Sequence, residues 1–293
     1  MAGWDEILSE VQHVPSQLDV IRRKYLNELC NYTGRNVIAY YSAFLTKSGS
    51  MMDVNDADMN GFMNALKEMD CTKGLDLFLH TPGGSPVAAE AIVKYLRKKF
   101  NNDIRIVVPQ LAMSAGTMIA CSGKSILMGK TSSLGPIDPQ FNGIPAYSII
   151  KEFEDAKTDL ASNPQNKAYW SILLSKYPAA FVKKAYDAIM LSGELIETWL
   201  GSCMFETGKD DATISGIVSV LNEHDASKEH GRHFDIDFCK EIGLRIEEIE
   251  EDPKLQDAIL SVHHAYMINF DNSPAVKIIE SQNNKTWIWN ANN

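Results

Sequence analysis

The chain has 293 residues, of which 45% are hydrophobic and 23% are charged, and its formal net charge at pH 7 is -10. These proportions are typical of soluble globular proteins and exclude a chain that is disordered, collagen-like or of low complexity throughout. The acidic balance argues against nucleic-acid binding, because neutralising phosphates requires clustered Lys and Arg. The length predicts one large domain or two small ones.

Three further absences narrow the class of protein. No stretch approaches the roughly 18 consecutive apolar residues of a membrane-spanning helix, and the N-terminus lacks the positive start and apolar core of a signal peptide. The five cysteines are widely spaced and form no CxxC pair. This spacing argues against a zinc site and against a disulfide framework, and it favours a reducing compartment. We therefore expect a cytoplasmic protein that needs no metal or other cofactor.

The first half of the chain alternates between predicted strands and helices. Helical spacing of apolar residues predicts a helix over 5–32, interrupted near Pro15. The elements expected after it are a strand at 36–45, a helix at about 55–69, a strand at 75–79, a helix at 86–100, a strand at 104–108, a helix at 114–121 and a strand at 125–128. Strands and helices that alternate with short loops imply parallel βαβ units, with helices covering a sheet.

The second half is predicted to be mainly helical. Apolar faces recur over 147–204, and a smaller unit over 212–248 ends in a helix closed by Gly243. Residues 281–293 are polar except for Trp287-Ile-Trp289, so they form either a loose end or an arm that docks on a neighbouring subunit. We expect an N-terminal helical arm (1–34), one main domain (35–280) and a C-terminal tail (281–293).

The first loop with chemical interest is His80-Thr81-Pro82-Gly83-Gly84, at the end of a predicted strand. Two consecutive glycines let the backbone turn its N–H groups outward with no Cβ in the way. Such N–H groups can bind an anionic oxygen, as an oxyanion hole requires. Gly83 and Gly84 are therefore candidate oxyanion donors. His80 either lines the site or, more simply, supports the backbone.

The second loop contains Ser114, at the point where a strand has ended and a helix of small residues begins. The run Ala112-Met-Ser-Ala-Gly116 approximates a nucleophile elbow, with Ala in place of its first glycine. Serine is also a favoured N-cap residue, so a lone serine at a helix start is usually structural. Both loops follow neighbouring strands and should face one crevice, which favours Ser114 as a nucleophile.

At these residues the chain resembles the Clp/crotonase superfamily of serine peptidases, and above all its serine dehydrogenase proteinase branch. The resemblance is carried by Leu77–Gly84, Val108–Thr117 and Met128–Gln140, with weaker similarity from about residue 23 to residue 280. It implies an α/β fold, a Clp/crotonase-like spiral of ββα units with a parallel sheet, N-terminal helices and a helical C-terminal part. It also implies a Ser114 nucleophile, oxyanion donors at Gly84 and Ala115, and a homo-oligomer.

The resemblance leaves the general base open. Aligned on the Clp protease subunit, Asp138 occupies the position of the Clp histidine, and the position of the Clp acid falls on Gly231, within Glu229–His233. The acid and the imidazole would then have exchanged places, with Asp138 orienting His230 or His233, which is permissible because a triad is defined by geometry. The plainer alternatives are that Asp138 stabilises a turn and that both histidines are exposed loop residues.

A lysine base is the second alternative. Signal peptide peptidase A, another relative, uses a Ser–Lys pair, and Lys176, or less well Lys167, falls in the comparable stretch. A lysine base must be buried enough to stay neutral, whereas most lysines are exposed. The adjacent pair His263-His264 lies on different faces of a predicted helix and makes a poor metal site.

The leading hypothesis is a serine peptidase that hydrolyses peptide bonds. Two alternatives remain, a crotonase-like acyl-CoA hydratase or thioesterase, and a non-catalytic scaffold of the same fold that lacks a working base. Gly123-Lys124-Ser125 lacks the upstream glycine of a nucleotide-binding P-loop. We therefore expect peptides or unfolded segments as substrates, and a separate activator or unfoldase for folded proteins.

Overall fold

The computed structural model describes residue 7 and residues 18–49, 51–205, 211–222 and 229–291. Most of the first half of the helix predicted over 5–32, including the break at Pro15, lies outside these residues. The helices in the described part are α1 (Leu18–Thr33), α2 (Asp58–Ala65), α3 (Pro86–Phe100), α4 (Ala115–Cys121), α5 (Ala146–Ser162), α6 (Lys167–Leu174), α7 (Phe181–Trp199), α8 (Asp211–Asn222), α9 (Ile236–Glu241) and α10 (Pro253–Asp271). The strands are β1 (Asn36–Ser42), β2 (Leu75–His80), β3 (Ile104–Val108), β4 (Leu111–Ala112), β5 (Ser125–Met128), β6 (Ser133–Leu134), β7 (Gln140–Phe141), β8 (Ile144–Pro145), β9 (Ile246–Glu248), β10 (Ala275–Ser281) and β11 (Thr286–Asn290).

A mostly parallel sheet forms the centre of the molecule. Within the described residues it contains seven strands in the order β11–β10–β1–β2–β3–β5–β9. The strands from β1 to β9 in this order are parallel, whereas β10 is antiparallel to both β1 and β11. The α/β fold class predicted from the sequence is confirmed.

Helices cover both faces of this sheet. Alternate residues of β1 point into two separate cores: Ile38 and Tyr40 into one, Val37 and Tyr41 into the other. The first core is completed by α2, α3, α4, α7 and α8, and the second by α1 and α10. Because both faces are covered, β2 is buried along its whole length, as is usual for a parallel strand.

The C-terminal segment belongs to the main sheet. Asn284, with a φ of 60°, lies in the turn that reverses the chain after β10, and β11 then pairs with β10 from Thr286 to Asn290. The predicted boundary at residue 281 therefore falls at the turn of a β-hairpin. Strand β10 pairs with β1, which lies near the other end of the chain, so no local pattern marks this pairing. The alternation Trp287-Ile-Trp289 alone therefore does not reveal the hairpin.

A second, smaller ladder lies at the carboxyl ends of the parallel strands. Thr81 forms a parallel bridge with Ala112 of β4, β4 pairs in parallel with β6, and Leu134 of β6 forms an antiparallel bridge with Phe234. We call this arrangement of Thr81, β4, β6 and Phe234 the side ladder. It brings together four segments that are far apart in sequence.

Helices α5, α6 and α7 form a unit beside the main body, with a small core of Ala146, Ile150 and Ala185. The last turns of α7 join this unit to the main core through Leu195, Ile196 and Trp199. Within the described parts of the chain, no helix is both long enough and apolar enough to cross a membrane.

Candidate active site

The glycine loop, residues 80–84, is fixed by the backbone of Val54. The N–H of Val54 donates to the carbonyl of Gly83 (2.7 Å), and the N–H of Ser85 donates to the carbonyl of Val54 (2.8 Å). Because Val54 bonds to the residues on both sides of Gly84, the N–H of Gly84 itself points away from Val54. A Cβ on Gly84 would lie 2.5 Å from the backbone of Val54, so only glycine allows this approach.

The glycine loop lies directly against the backbone of the Ser114 loop. A Cβ on Gly83 would lie 2.6 Å from the Cβ of Ser114 and 2.9 Å from the backbone nitrogen of Ala115. The N–H of Gly83 donates to Oγ1 of Thr81 (3.2 Å), so this donor is already used. In the described part of the chain, the structure records no acceptor for the N–H groups of Gly84 and Ala115. These two N–H groups are therefore the better candidates for an oxyanion hole.

Ser114 has a backbone conformation unlike that of a capping serine. Its φ is 49° and its ψ is -116°, and its side chain makes no capping hydrogen bond to α4. An N-cap residue normally has extended backbone and accepts a bond from the helix, so the capping alternative does not fit. A non-glycine residue in such a region costs about 1–3 kcal/mol. Strain of this kind is typical of a nucleophile elbow, which exposes the serine oxygen.

Asp138 and His230 form a hydrogen-bonded pair. Nδ1 of His230 lies 2.7 Å from Oδ1 of Asp138, while Nε2 of Gln140 donates to Oδ2 of Asp138 (2.7 Å). The side chain of Asp138 is 3% exposed and that of His230 is 32% exposed. The pairing follows from the side ladder, because each residue lies four positions beyond the antiparallel bridge between Leu134 and Phe234. A buried, oriented carboxylate and a partly exposed imidazole suit general-base chemistry.

The other two sequence candidates for the base lie in different surroundings. His233 is exposed, one residue before the bridge at Phe234, and the structure pairs Asp138 with His230 instead. Lys176 is exposed in the turn after α6, and Lys167 is exposed at the start of α6. Both lysines therefore lack the burial that a lysine base requires.

His80 is buried inside the protein, behind the glycine loop. Burial lowers the pKa of His80 to about 3, and its ring packs against Phe44 and Tyr41. It therefore supports the loop and does not line the crevice. His263 is also buried, with Nδ1 3.4 Å from the hydroxyl of Tyr41. In the described ranges, no group of three or more His, Cys, Asp or Glu side chains is placed to hold a metal ion.

Sequence reasoning missed two residues that position this site. Val54 holds the glycine loop, and Thr117 joins two segments of the side ladder. Oγ1 of Thr117 donates to the carbonyl of Ala112 (2.8 Å) and accepts from the N–H of Gly135 (2.9 Å). A threonine within a helix of small residues is a weak signal for Thr117, and a valine in a loop gives none for Val54.

Comparison with known protein families agrees with the fold and the site geometry described above. Residues 12–166, just over half of the chain, match the family described as ClpP-like SDH-type serine proteinase. The chain therefore belongs to this family, and the resemblance inferred from the sequence is confirmed. The matched region includes the glycine loop, Ser114 and Asp138, and it ends before His230.

Individual relatives agree over part of their length. Two uncharacterized proteins of Methanocaldococcus jannaschii are 36% identical over 151 residues and 39% identical over 79 residues. The first alignment covers 50% of this chain and 52% of the relative, and the second covers 27% of each. The chain thus spans about half the length of the first relative and about a quarter of the second.

Two solved structures are distant matches. One is a mutant of the 1510-N membrane-bound stomatin-specific protease, 17% identical, with a TM-score of 0.40 over 70% of this chain and 79% of the other. The other is a mutant of ClpP1 from Listeria monocytogenes, 13% identical, with a TM-score of 0.41 over 77% of this chain and 97% of the other.

Proposed function

We propose that this chain is a serine peptidase in which Ser114 is the nucleophile, His230 is the general base and Asp138 orients His230. Membership of a serine proteinase family supports a serine peptidase in general. The observation that carries the assignment of roles is the 2.7 Å hydrogen bond between His230 and the buried carboxylate of Asp138.

Contacts around Gly135 support this assignment, because they bring the three segments together. A Cβ on Gly135 would lie 2.5 Å from the terminal carbon of Met113 and 3.6 Å from the carbonyl oxygen of Arg232. Met113 precedes Ser114, Gly135 lies three residues before Asp138, and Arg232 lies two residues after His230. The nucleophile, the acid and the base therefore come from segments that meet at one point.

The hydrogen bond to Asp138 supports a role for the His230 imidazole as the general base. When Nδ1–H of His230 donates to the carboxylate, the neutral ring carries its lone pair on Nε2. Nε2 takes the proton from Oγ of Ser114 as that oxygen attacks the peptide carbonyl, and Asp138 stabilises the imidazolium that forms. The same proton then passes to the leaving amine, which leaves an acyl-enzyme that water hydrolyses by the reverse sequence.

The oxyanion of the tetrahedral intermediate needs donors fixed in advance. The N–H groups of Gly84 and Ala115 supply them, since they lie on either side of the contact between Gly83 and Ser114. Such preorganised donors are each worth about 100- to 1,000-fold in rate.

The two alternative functions have less support. A non-catalytic scaffold would lack a working base, whereas His230 has the carboxylate partner of one. A crotonase-like hydratase or thioesterase needs oxyanion donors without a strained serine beside them, and no contact of Ser114 favours that chemistry. We infer that substrates are peptides or unfolded segments, that the working form is a homo-oligomer, and that folded substrates require a separate unfoldase.

The test uses a fluorophosphonate probe, which reacts with activated serines, and intact mass to count the labels. We expect one label on the wild type and none on Ser114→Ala. His230→Asn should slow labelling and peptide hydrolysis by at least about 100-fold, the usual contribution of a general base. His233→Asn, a histidine change three residues away on the same segment, is the matched control and should label at nearly the wild-type rate.

Two results would contradict the proposal. Labelling that persists in Ser114→Ala would assign the nucleophile to another serine. Equal losses of labelling rate and of peptide hydrolysis in His230→Asn and His233→Asn would show that the segment matters as a whole, and that His230 has no special role.

A further inference from the structure

A buried lysine lies behind the glycine loop. Lys277, in β10, has a side chain that is 0% exposed, and so does its partner Asp58. The ammonium donates to Oδ1 of Asp58 (2.7 Å) and to the backbone carbonyl of Asp53 (2.6 Å). The hydroxyl of Tyr40 donates to the second oxygen of Asp58 (2.8 Å). Removing a lysine and an aspartate from water is costly, so a pair this buried calls for an explanation.

The pair holds a short segment, residues 53–55, at both of its ends. Lys277 binds the carbonyl of Asp53 at one end. At the other end the N–H of Asn55 donates to Oδ2 of Asp58 (3.0 Å). Val54 lies between these two contacts, and it is the residue that bonds to Gly83 and Ser85. The ion pair is therefore connected through one residue to the backbone of the glycine loop.

Regular secondary structure does not hold this segment. Val54 forms only an isolated bridge with Gly84, and β1 and α2 end and begin several residues away. An oxyanion donor must lie within a few tenths of an ångström of its working position. A shift of Val54 would be passed to Gly84, because Val54 is hydrogen-bonded to Gly83 (2.7 Å) and to Ser85 (2.8 Å), the residues on either side of Gly84.

We propose that Lys277 and Asp58 are positioning residues, which fix the N–H of Gly84 in the oxyanion hole through the segment 53–55. This inference rests on the proposed peptidase function. In this proposal neither Lys277 nor Asp58 contacts the substrate. Their role is to hold the backbone of Val54, and through it the donor that stabilises the transition state.

The first test compares two charge-removing substitutions in the same strand. Lys277→Met removes the ammonium with little change in length, and Glu280→Gln removes a charge from an equally buried ion pair that does not touch segment 53–55. At a temperature where both variants are folded, Lys277→Met should lower kcat for a peptide about 100-fold with KM within about 3-fold, as loss of one oxyanion donor does. Glu280→Gln should keep kcat within about 3-fold of the wild type.

The double variant Lys277→Met with Asp58→Asn keeps the test decisive if the single variant fails to fold. It removes both charges, so no unpaired charge stays buried, but it also removes the bond to the carbonyl of Asp53. We expect it to be folded and still about 100-fold slower than the wild type. A folded double variant with wild-type kcat would overturn the proposal.

Hydrogen exchange separates failure of this inference from failure of the proposed function. The N–H groups of Val54 and Ser85 should exchange at least about 10-fold faster in Lys277→Met than in Glu280→Gln. Unchanged exchange would overturn the positioning role whatever the activity. Faster exchange in a protein whose wild type neither labels nor hydrolyses peptides would keep the positioning role for the loop and reject the peptidase.

Discussion

His80 links the glycine loop to the interior through an uncharged imidazole. Both of its ring nitrogens lack a hydrogen-bond partner among the described residues, and the ring is enclosed by Phe44, Tyr41 and His263. A buried ring without partners tolerates only the neutral form. Protonation at this position would oppose folding, so the residue makes stability depend on pH.

The sign of this dependence follows from the pKa values. Burial lowers the pKa of His80 from 6.5 to about 3, so between these values the unfolded chain binds a proton that the folded protein does not. Stability is therefore full above pH 6.5 and falls as the pH drops toward 3. At pH 5 the loss from this residue is about 2 kcal/mol, since one pKa unit corresponds to about 1.4 kcal/mol.

We predict that His80→Phe weakens this pH dependence. Phenylalanine has a similar shape, suits the aromatic surroundings and cannot be protonated. The difference in free energy of unfolding between pH 7.5 and pH 5, measured by urea denaturation, should be about 2 kcal/mol smaller in the variant. An unchanged difference would show that His80 does not contribute, and that His263, whose pKa burial also lowers, accounts for the effect.

Ser114 illustrates which part of the site sequence alone can reach. The segment Ala112–Gly116 identifies the residue, but both a nucleophile and an N-cap are consistent with that sequence. The choice between them lies in the backbone angles and in the absence of a capping bond. These depend on the contact with Gly83, which is 31 positions earlier in the chain.

Among the elements, α1 is joined to β10 by a buried ion pair. Nε of Arg22 donates to Oε2 of Glu280 (2.8 Å), and both side chains are 0% exposed. The hydroxyl of Tyr266 in α10 donates to the same carboxylate (2.8 Å). The carboxylate of Glu280 thus connects β10 to α1 and α10, the two helices that cover the same face of the sheet.

We predict that Glu280→Gln destabilises the protein by about 3–5 kcal/mol, because it removes the buried countercharge of Arg22 and leaves its guanidinium only Asp19, whose side chain is 53% exposed. The double variant Arg22→Met with Glu280→Gln should recover most of this loss, since no charge then remains buried. Urea denaturation of both variants measures the difference. A loss below about 1 kcal/mol in the single variant would mean that water or Asp19 replaces the missing charge.

Some of the secondary-structure elements could be predicted from the sequence, whereas strand β10 could not. The bounds 86–100, 104–108 and 125–128 were predicted as the structure has them, because each element has a clear apolar period and a Pro or Gly near its end. Strand β10 was missed because Lys277 and Glu280 interrupt its apolar residues. Their partners are 219 and 258 residues away, and no local pattern shows that these charges are neutralised.

The general base could not be predicted for a similar reason. Asp138 and His230 are 92 positions apart, and without the side ladder the choice between His230 and His233 stays open.

On the scale of the whole molecule, the unit of α5, α6 and α7 leaves large apolar side chains exposed. Ile172 in α6 is 68% exposed and Met190 in α7 is 58% exposed, and α6 contains no buried residue. Large apolar side chains that stay exposed on one unit are a feature of subunit contacts. We propose that these side chains lie in the contacts of the homo-oligomer that the family resemblance implies.

We predict that light scattering gives the wild type a mass that is a multiple of 32.6 kDa. Ile172→Glu combined with Met190→Glu should reduce that mass, because the two carboxylates would have to be buried in the contact. Val20→Glu changes a residue of α1 that is 50% exposed, and it should leave the mass unaltered. A wild type with a mass of 32.6 kDa would reject the oligomer. If both variants changed the mass equally, the surface of α6 and α7 would be rejected as the subunit contact.

The position of β10 in the sheet also sets an order of events during synthesis. A ribosome completes Ser114, Asp138 and His230 before it reaches Lys277, yet the Asp53 end of the segment behind the glycine loop is bound by Lys277 only after that. A growing polypeptide would therefore carry all the reacting groups of the proposed peptidase while its oxyanion donor was still loosely held. Under the proposed function, translation itself would delay the onset of cleavage until the last strands had been made, and this delay would protect the nascent chain and its neighbours from premature proteolysis.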